Sequence, residues 1–269
     1  IIKPVDNSGA RGVILLNNKT NLRWAFNYCI KYSKKKHLIA EEYIEGPQLS
    51  TEGIVHNGKY VHLCSFDRNY EFIKKYRPFV IENGGSTPSK IGDKYNFEIN
   101  KILSKVSKKL KLKNATLKGD LVINKNKIYL LEVATRLSGG WLSSITIPHS
   151  TGVNIVEYVI NNSLGIKSDK KKIFPKYKKN IVQRYLFPKE MRIKSIKFKN
   201  KSILQNKNII SFKIFKNKSK LNEKIDSHAS RIGHVIVKSP NKKKGILLAK
   251  KIINNVKVNY YSKKIKNKK

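Results

Sequence analysis

The sequence contains few residues of the kinds that mark disulfide-rich, zinc-binding or membrane-spanning proteins. Its two cysteines, Cys29 and Cys64, do not have metal-ligand spacing, so we expect buried free thiols in a reducing compartment. No apolar run approaches the roughly eighteen residues that span a bilayer, and the first residues do not follow the layout of a signal peptide. These absences favour a cytoplasmic protein that has no membrane partner.

Acidic residues are also scarce, with 17 aspartates and glutamates against 58 lysines and arginines, and the formal net charge is +41. A charge of this size is typical of proteins that bind nucleic acid or anionic membranes. The lysines, however, are spread over the whole chain together with abundant asparagine and isoleucine, a combination that an A/T-rich coding sequence favours. We therefore interpret the charge as compositional drift and keep nucleic-acid binding as the less favoured alternative.

A hairpin is predicted from Gly119 to Glu132, because two runs rich in apolar and β-branched residues flank the polar turn 124–127. Strands of this length bring Asp120 and Glu132 to the same end of the hairpin. Two carboxylates on rigid strands suit Mg²⁺, which takes one or two carboxylates together with waters and phosphate oxygens. A solvated hairpin with incidental charge is the alternative that these two acids alone leave open.

The N-terminal residues 1–16 predict a strand, a loop of small residues over 7–12 and a second strand. Glycines in such a loop let the backbone turn tightly and direct its N–H groups at phosphate oxygens. It is not a Walker loop, because the lysine precedes the glycines, and an ordinary hairpin turn explains it equally well. Further along, 37–55 predicts a strand ending in acids, a Gly-Pro corner and a second strand. Such an edge could offer a backbone carbonyl and an N–H to a flat heterocycle.

Helical periodicity predicts helices over 21–33 and 97–112, and Asn57-Gly58 predicts a type I′ turn between alternating strands. The segment 68–94 is predicted to be a long loop, either a lid over a substrate or a mobile surface loop. Glu52, in the strand before the hairpin turn, is either a substrate-site residue or an outward, solvated acid.

Beyond a helix over 153–164, the sequence predicts a lysine-rich linker and then a small unit of short strands with a final helix over 241–255. We expect no catalytic constellation in this unit. The six histidines are scattered along the chain, and we expect structural or surface roles for them.

Three segments together resemble ATP-grasp enzymes of the carboxylate–amine ligase type. They are, in the family's order, IIKP with SGARGV, then AEEYIEGPQLSTEG, then GDLVI followed by IYLLEVATRLSGG. The segments RYLF and HASRIGHVIV resemble, more loosely, the small domain that follows in many such ligases. The resemblance implies an α+β protein with the ATP-grasp fold, antiparallel sheets with flanking helices, over 1–165. A lysine-rich linker over 166–180 and a small C-terminal α+β domain over 181–269 would follow.

The resemblance also implies how ATP would be bound. Lys3 would hold the nucleotide phosphates. The mobile loop above them would contain Ser8, Gly9, Arg11 and Gly12. The hinge would consist of Glu42, Tyr43 and Ile44. Its Glu42 carbonyl and Ile44 N–H would meet the adenine edge. Gln48 stands where relatives commonly have a glutamate for the ribose hydroxyls, and its amide can still accept one hydrogen bond.

For the chemistry, Asp120 and Glu132 fall on metal-ligand positions for Mg²⁺ or Mn²⁺. Arg136 falls on the arginine that meets the transferred phosphate or the acyl phosphate. The substrate site would be lined by Ser138, Gly139 and Gly140. Ala134 replaces the asparagine that usually supplies a further metal ligand in the family's E-x-N-x-R pattern. A second Mg²⁺ would then depend on Glu132, phosphate oxygens and water.

An ATP-dependent carbon-nitrogen ligase is the activity that the resemblance implies. A carboxylate would attack the γ-phosphoryl group, ADP would leave, and an amine would displace phosphate from the acyl phosphate. The expected partners are a small-molecule carboxylate and amine, and formation of a homo-oligomer stays open. Because the sequence starts inside a binding strand, we expect an N-terminally truncated member of the family. An ATP-binding relative without ligase activity is the alternative.

Overall fold

The computed structural model describes residues 1–167, 169–216, 218 and 224–262. The first half of this part contains β1 (Ile2–Pro4), α1 (Leu22–Ile30), β2 (Leu38–Ala40), β3 (Gln48–His56), β4 (Lys59–Arg68), β5 (Gly85–Thr87), α2 (Lys90–Lys94), α3 (Asn96–Lys109), β6 (Ala115–Asn124) and β7 (Lys127–Ala134). A π-helical turn (Leu142–Thr146) then leads into α4 (Ile147–Thr151), α5 (Ile155–Ser163), β8 (Asn180–Leu186), β9 (Ile193–Phe198), β10 (Ile209–Ile214), β11 (Gly233–Ser239), α6 (Lys242–Asn254) and β12 (Val256–Tyr260).

A central eight-stranded sheet has the order β10-β11-β8-β5-β4-β3-β6-β7, and all of its neighbouring strands run antiparallel. Two small pairs, β1-β2 and β9-β12, complete the strands of the described residues. Antiparallel sheets with flanking helices confirm the predicted α+β class.

Strands from the predicted C-terminal domain extend this same sheet. β8 pairs with β5 on one side and with β11 on the other, so the sheet continues across the predicted linker 166–180. The division into domains stays a prediction, but the residues on either side of the linker share one hydrogen-bonded sheet.

Both predicted hairpins are confirmed. Asn57 and Gly58 have φ of +50° and +76°, as a type I′ turn between β3 and β4 requires. Lys125 and Asn126, with φ of +44° and +62°, turn β6 into β7 in the same way. The helices over 21–33 and 97–112 are confirmed as α1 and α3, each a few residues shorter than predicted.

The prediction of a loop or lid over 68–94 is wrong for its second half. Residues Gly85–Thr87 form β5, which lies between β4 and β8 near the middle of the sheet, and α2 follows it. The glycines that suggested a loop are needed for close strand packing. A Cβ on Gly84 would clash with the Gln183 carbonyl, and one on Gly85 would clash with the Asp67 carbonyl.

Helices cover the sheet through apolar side chains spaced at helical periods. α3 packs Ile99 and Leu103 against Leu49, Leu117 and Leu121 of β3 and β6. At the other end of the sheet, α6 packs its apolar side against β8 and β11; the buried residues of this contact are Val182, Val235, Val237, Ala249 and Ile252. These contacts fix the positions of the strands that carry the polar residues of the site.

The two cysteine thiols are free, as predicted. Cys29 is buried on α1, and Cys64 is partly buried on β4. Among the helices of the described residues, none has the length and apolar character that a membrane crossing requires.

We expect Gly85→Ala to lower the free energy of unfolding by about 2 kcal/mol or more, because the new methyl group would overlap backbone atoms that cannot move aside. Gly139→Ala is the matched control, since a Cβ there meets no heavy atom within 4 Å. Urea denaturation of both variants measures the effect. Equal midpoints for the two variants would contradict the close packing at β5.

Candidate active site

A cleft of about 910 Å³ lies between the β1-β2 pair and the central sheet, a size typical of small-molecule sites. It brings together most of the predicted site residues: Lys3, Ser8, Gly9, Arg11, Asp120, Glu132, Arg136, Ser138, Gly139 and Gly140. The other predicted residues do not line it: Gly12, Glu42, Tyr43, Ile44 and Gln48. Segments far apart in sequence therefore converge on one cavity.

The loop after β1 is tied to the C-terminal region. The Asn7 carboxamide oxygen accepts a hydrogen bond from the Ser8 N–H at 2.8 Å, and the Gly9 carbonyl accepts one from the His228 N–H at 2.9 Å. Positive φ at Gly9 and Ala10 turns the backbone sharply at this point. On β1, which precedes the loop, the Lys3 ammonium forms an ion pair with Glu41. The strand predicted after the loop is reduced to isolated bridges at Ile14.

Asp120 and Glu132 are direct cross-strand partners on β6 and β7, which confirms that they share one end of the hairpin. Asp120 is mostly buried, and both of its carboxylate oxygens have partners. It accepts a hydrogen bond from Ser50 Oγ at 2.7 Å, and its Oδ2 lies 2.6 Å from Lys118 Nζ and 3.4 Å from Arg68 Nη1. Burial opposes ionisation of Asp120, but the cations of Arg68 and Lys118 outweigh it and hold its pKa below the usual range.

Glu132 has the opposite environment. Its side chain is exposed in the cleft, and no described residue forms an ion pair or hydrogen bond with its carboxylate. The described residues include no group of three or more histidine, cysteine, aspartate or glutamate side chains able to hold a metal. A divalent cation at Glu132 would therefore take phosphate oxygens or waters as its remaining ligands.

Arg68 links Asp120 to a second buried acid. Its guanidinium donates to Glu82 Oε2, with Nε at 2.9 Å and Nη2 at 2.8 Å. Arg231 donates to the same residue, from Nη2 to the Glu82 carbonyl at 2.8 Å and to Oε1 at 3.3 Å, and stacks over the Tyr185 ring at 3.6 Å. Burial would raise the pKa of Glu82, but Arg68 and Arg231 together with the other nearby groups outweigh it, and the pKa is lowered.

Glu52 anchors the turn that carries the predicted substrate residues. It is 0% exposed and accepts hydrogen bonds from the Ser138 N–H at 3.2 Å and from Ser143 Oγ at 3.1 Å. The outward, solvated alternative is therefore wrong. Burial raises the pKa of Glu52, although the two serines favour the carboxylate.

The glycine turn is held from its other side by β8. The Gly140 carbonyl accepts hydrogen bonds from Gln183 Nε2 at 2.5 Å and from Tyr185 Oη at 3.0 Å. Gly140 has φ of +65°, and a Cβ there would lie 2.6 Å from Tyr185 Oη, so the position requires glycine. Arg136, just before the turn, is exposed and donates only to the Leu137 carbonyl, at 3.1 Å, among the described residues. Its guanidinium is therefore free to meet an anion in the cleft.

Sequence reasoning missed several residues of the cleft. The C-terminal region was expected to contribute no constellation, yet it places His228 and Arg231 in the lining, beside Arg68, Glu82 and Lys118. Burial and the nearby Arg231 lower the pKa of His228 to about 3, so its imidazole is neutral at pH 7. The ion pairs join strands distant in sequence, and the local periodicity carries no signal for them.

A comparison of the sequence with known protein families identifies the class of protein to which this fold and cleft belong. A family model described as the ATP-grasp domain matches residues 1–140. The chain therefore belongs to the ATP-grasp family.

Among known proteins, the chain is 32% identical over 155 residues to a D-alanine–D-alanine ligase of Fusobacterium nucleatum, a match that covers 55% of this chain and 48% of that ligase. The chain thus spans about half the length of this curated relative. Among solved structures, an L-amino acid ligase from Bacillus licheniformis has a TM-score of 0.77 at 16% identity, over 97% of this chain and 63% of that one. A phosphoribosylglycinamide synthetase from Anaerococcus prevotii has a TM-score of 0.67 at 21% identity, over 97% and 64%. These structures share the fold.

We expect Glu82→Gln to lower the free energy of unfolding by roughly 2–4 kcal/mol, because it leaves the guanidinium groups of Arg68 and Arg231 buried together without their shared acid. Glu157→Gln is the control, since its ion pair with Lys172 is exposed and long, 3.6 Å, and such pairs contribute about 0.5 kcal/mol or less. Chemical denaturation near pH 7 measures both. A loss at Glu82 no larger than that at Glu157 would show that the buried cluster does not stabilise the fold.

Stability should also depend on pH through two partly buried histidines, His62 and His228. Burial lowers the pKa of His62 to about 4 and that of His228 to about 3, whereas a histidine in the unfolded chain titrates near 6.5. Between these values the unfolded chain binds more protons, so the free energy of unfolding falls on acidification. From pH 7 to pH 5 each histidine should contribute a loss of about 2 kcal/mol.

The measurement is urea denaturation at both pH values for the wild type and for a variant carrying His62→Gln and His228→Gln. The buried Glu52 acts in the opposite direction because its pKa is raised, so the difference between the two proteins is the relevant quantity. The variant should lose less stability than the wild type on acidification. The same loss in both would show that these imidazoles titrate normally in the folded protein.

Proposed function

We propose that this chain contributes the nucleotide site of an ATP-dependent ligase, which joins a carboxylate to an amine through an acyl phosphate and releases ADP and phosphate. The observation that carries the proposal is the convergence in one cleft of a glycine-containing loop, the Asp120–Glu132 pair, Arg136 and the glycine turn 138–140. The names of the relatives support the reaction class, because the D-alanine–D-alanine ligase and the L-amino acid ligase both act on amino acids.

The charge of the cleft suits a nucleoside triphosphate. Six cationic side chains and four carboxylates line it, which leaves a positive excess for phosphates. Lys3 and the backbone N–H groups of the loop 8–12 would hold the phosphate chain. The hinge 42–44, between β2 and β3, and Gln48 lie outside the lining of the cleft. The family membership supports a contact of the hinge backbone with the adenine edge and of Gln48 with the ribose.

A divalent cation on Glu132, Mg²⁺ or Mn²⁺, would neutralise phosphate charge when bound. Glu132 suits this role because its carboxylate is exposed to the cleft and has no partner among the described residues. Asp120 is occupied by Lys118 and Arg68, so it would orient the other groups of the site rather than supply a free ligand.

In the first step, an oxygen of the substrate carboxylate attacks the γ-phosphorus and the bond from that phosphorus to the ADP oxygen breaks. Arg136 donates to the transferred phosphoryl group and stabilises its charge. In the second step, the amine nitrogen attacks the acyl carbon, phosphate leaves, and the nitrogen loses a proton. The backbone N–H groups at Gly139 and Gly140 would stabilise the oxyanion, while Glu52 and Tyr185 hold the turn in place.

We expect the chain to bind Mg·ATP and Glu132→Ala to weaken this binding at least about tenfold, because the divalent cation loses its protein ligand. Glu98→Ala, which removes an acid from α3 outside the cleft, is the control and should bind like the wild type. Isothermal titration calorimetry measures both. Absence of Mg·ATP binding, together with salt-sensitive affinity for DNA that Glu132→Ala leaves unchanged, would favour the nucleic-acid alternative.

We expect release of ADP only when both a carboxylate and an amine are supplied, and Arg136→Ala to lower kcat about 100-fold or more with ATP affinity changed by less than about threefold. A coupled ADP assay with mixtures of amino acids measures the rate. Binding of ATP without ADP release from any such mixture would support the alternative of a nucleotide-binding relative without ligase activity.

A further inference from the structure

Two neighbouring rungs on one face of the sheet bring four ionisable side chains together. Lys118, Asp120 and Glu132 line the cleft, and Glu52 is buried beside them. In the first rung, Ser50, Asp120 and Glu132 lie side by side on β3, β6 and β7. In the second rung, Glu52, Lys118 and Ala134 occupy the same strands. Because residues two apart on a strand share a face, the two rungs form one patch.

Lys118 lies inside this patch rather than at its edge. It is only 7% exposed, its ammonium is 2.6 Å from Asp120 Oδ2, and Glu52 is its cross-strand neighbour on β3. A buried lysine is rare unless its charge is paired. Asp120 supplies that pairing, and Glu52 stands across from Lys118 on the neighbouring strand.

Without Lys118, the acids Asp120, Glu132 and Glu52 would lie on neighbouring rungs with Arg68 as the remaining cation at Asp120. Carboxylates that lose a counter-charge are ligands that a divalent cation prefers. Directly across from Lys118 stands Ala134, whose methyl group offers no oxygen ligand. Both carboxylate oxygens of Asp120 already have partners, Ser50 at Oδ1 and Lys118 with Arg68 at Oδ2. Of the carboxylates in the patch, only that of Glu132 faces the cleft unpaired among the described residues.

We propose that Lys118 is a built-in counter-cation, whose ammonium takes the place of a second divalent cation between Asp120 and Glu52, so that the cleft binds a single divalent cation at Glu132. The assignment of that cation to Glu132 rests on the proposed function. The role of Lys118 rests on the contacts of the patch alone. Lys118 and Asp120 are positioning residues, because they act through each other and through Arg68.

The first test uses Mn²⁺ alone and measures the shift in melting temperature. Lys118→Met should open a cation site between the acids, so millimolar Mn²⁺ should stabilise this variant by about 3 °C more than the wild type. Lys118→Arg, which keeps a cation, should behave like the wild type. Lys127→Met removes the same charge from the exposed end of the hairpin and controls for net charge.

Equal Mn²⁺ shifts for Lys118→Met and Lys127→Met would overturn the proposal, because the lysine would then not exclude a metal.

Lys118→Met could also fail to fold, since it leaves buried acids unpaired, so a second test leaves Lys118 in place. It counts Mn²⁺ per bound nucleotide by electron paramagnetic resonance, using ADP as the nucleotide.

In this second test the wild type should bind one Mn²⁺ per ADP. Glu132→Gln should weaken Mn²⁺ binding at least about tenfold, while Asp120→Asn should change it by less than about threefold. Two Mn²⁺ ions per ADP in the wild type, or equal losses in the two variants, would show that Asp120 is a direct ligand and that Lys118 moves aside.

The two tests separate the failure of this inference from the failure of the proposed function. If ADP does not bind at all but Mn²⁺ still stabilises Lys118→Met selectively, the nucleotide site is wrong and the role of Lys118 stands. If ADP binds with two Mn²⁺ ions, the nucleotide site stands and the role of Lys118 is wrong.

Discussion

The carboxylate of Asp120 is the point on which the geometry of the cleft depends. It lies mostly buried in the sheet and is held by Ser50, Lys118 and Arg68. Charged groups at such a depth are stable only when they are paired and hydrogen-bonded. Asp120 pairs with Arg68, Arg68 pairs with Glu82, and Glu82 pairs with Arg231. These ion pairs connect β6 to the C-terminal region.

This chain of ion pairs explains how the two ends of the sequence make one site. Arg231 is brought over Tyr185 by its bond to Glu82, and the adjacent His228 is then close enough to donate its N–H to the carbonyl of Gly9. The glycine-containing loop is thereby joined to residues more than two hundred positions away. On the opposite side, the buried carboxylate of Glu52 fixes the turn at Ser138. The cleft is therefore shaped by buried polar contacts on both sides, while Glu132 and Arg136 are left exposed between them.

The hairpins and helices could be predicted because their signals are local. Asn57-Gly58 favours positive φ in a two-residue turn, and alternation on either side sets which residues share a face, so Asp120 and Glu132 could be placed together in advance. The segment around Gly84-Gly85 could not be predicted in this way. Its glycines are typical of a loop, but they are needed because neighbouring strands approach too closely for a Cβ.

The sequence by itself determined the family and the hairpin that brings Asp120 and Glu132 to the same end, with Arg136 a few residues further on, since these depend on short patterns and neighbouring residues. The tertiary structure alone decided that Asp120 is occupied by Lys118 and Arg68, that Glu52 points inward, and that His228 and Arg231 reach the cleft. The physical reason is that the partner of a buried charge is fixed by strand order and by the need to neutralise it, and both arise only when strands distant in sequence pair.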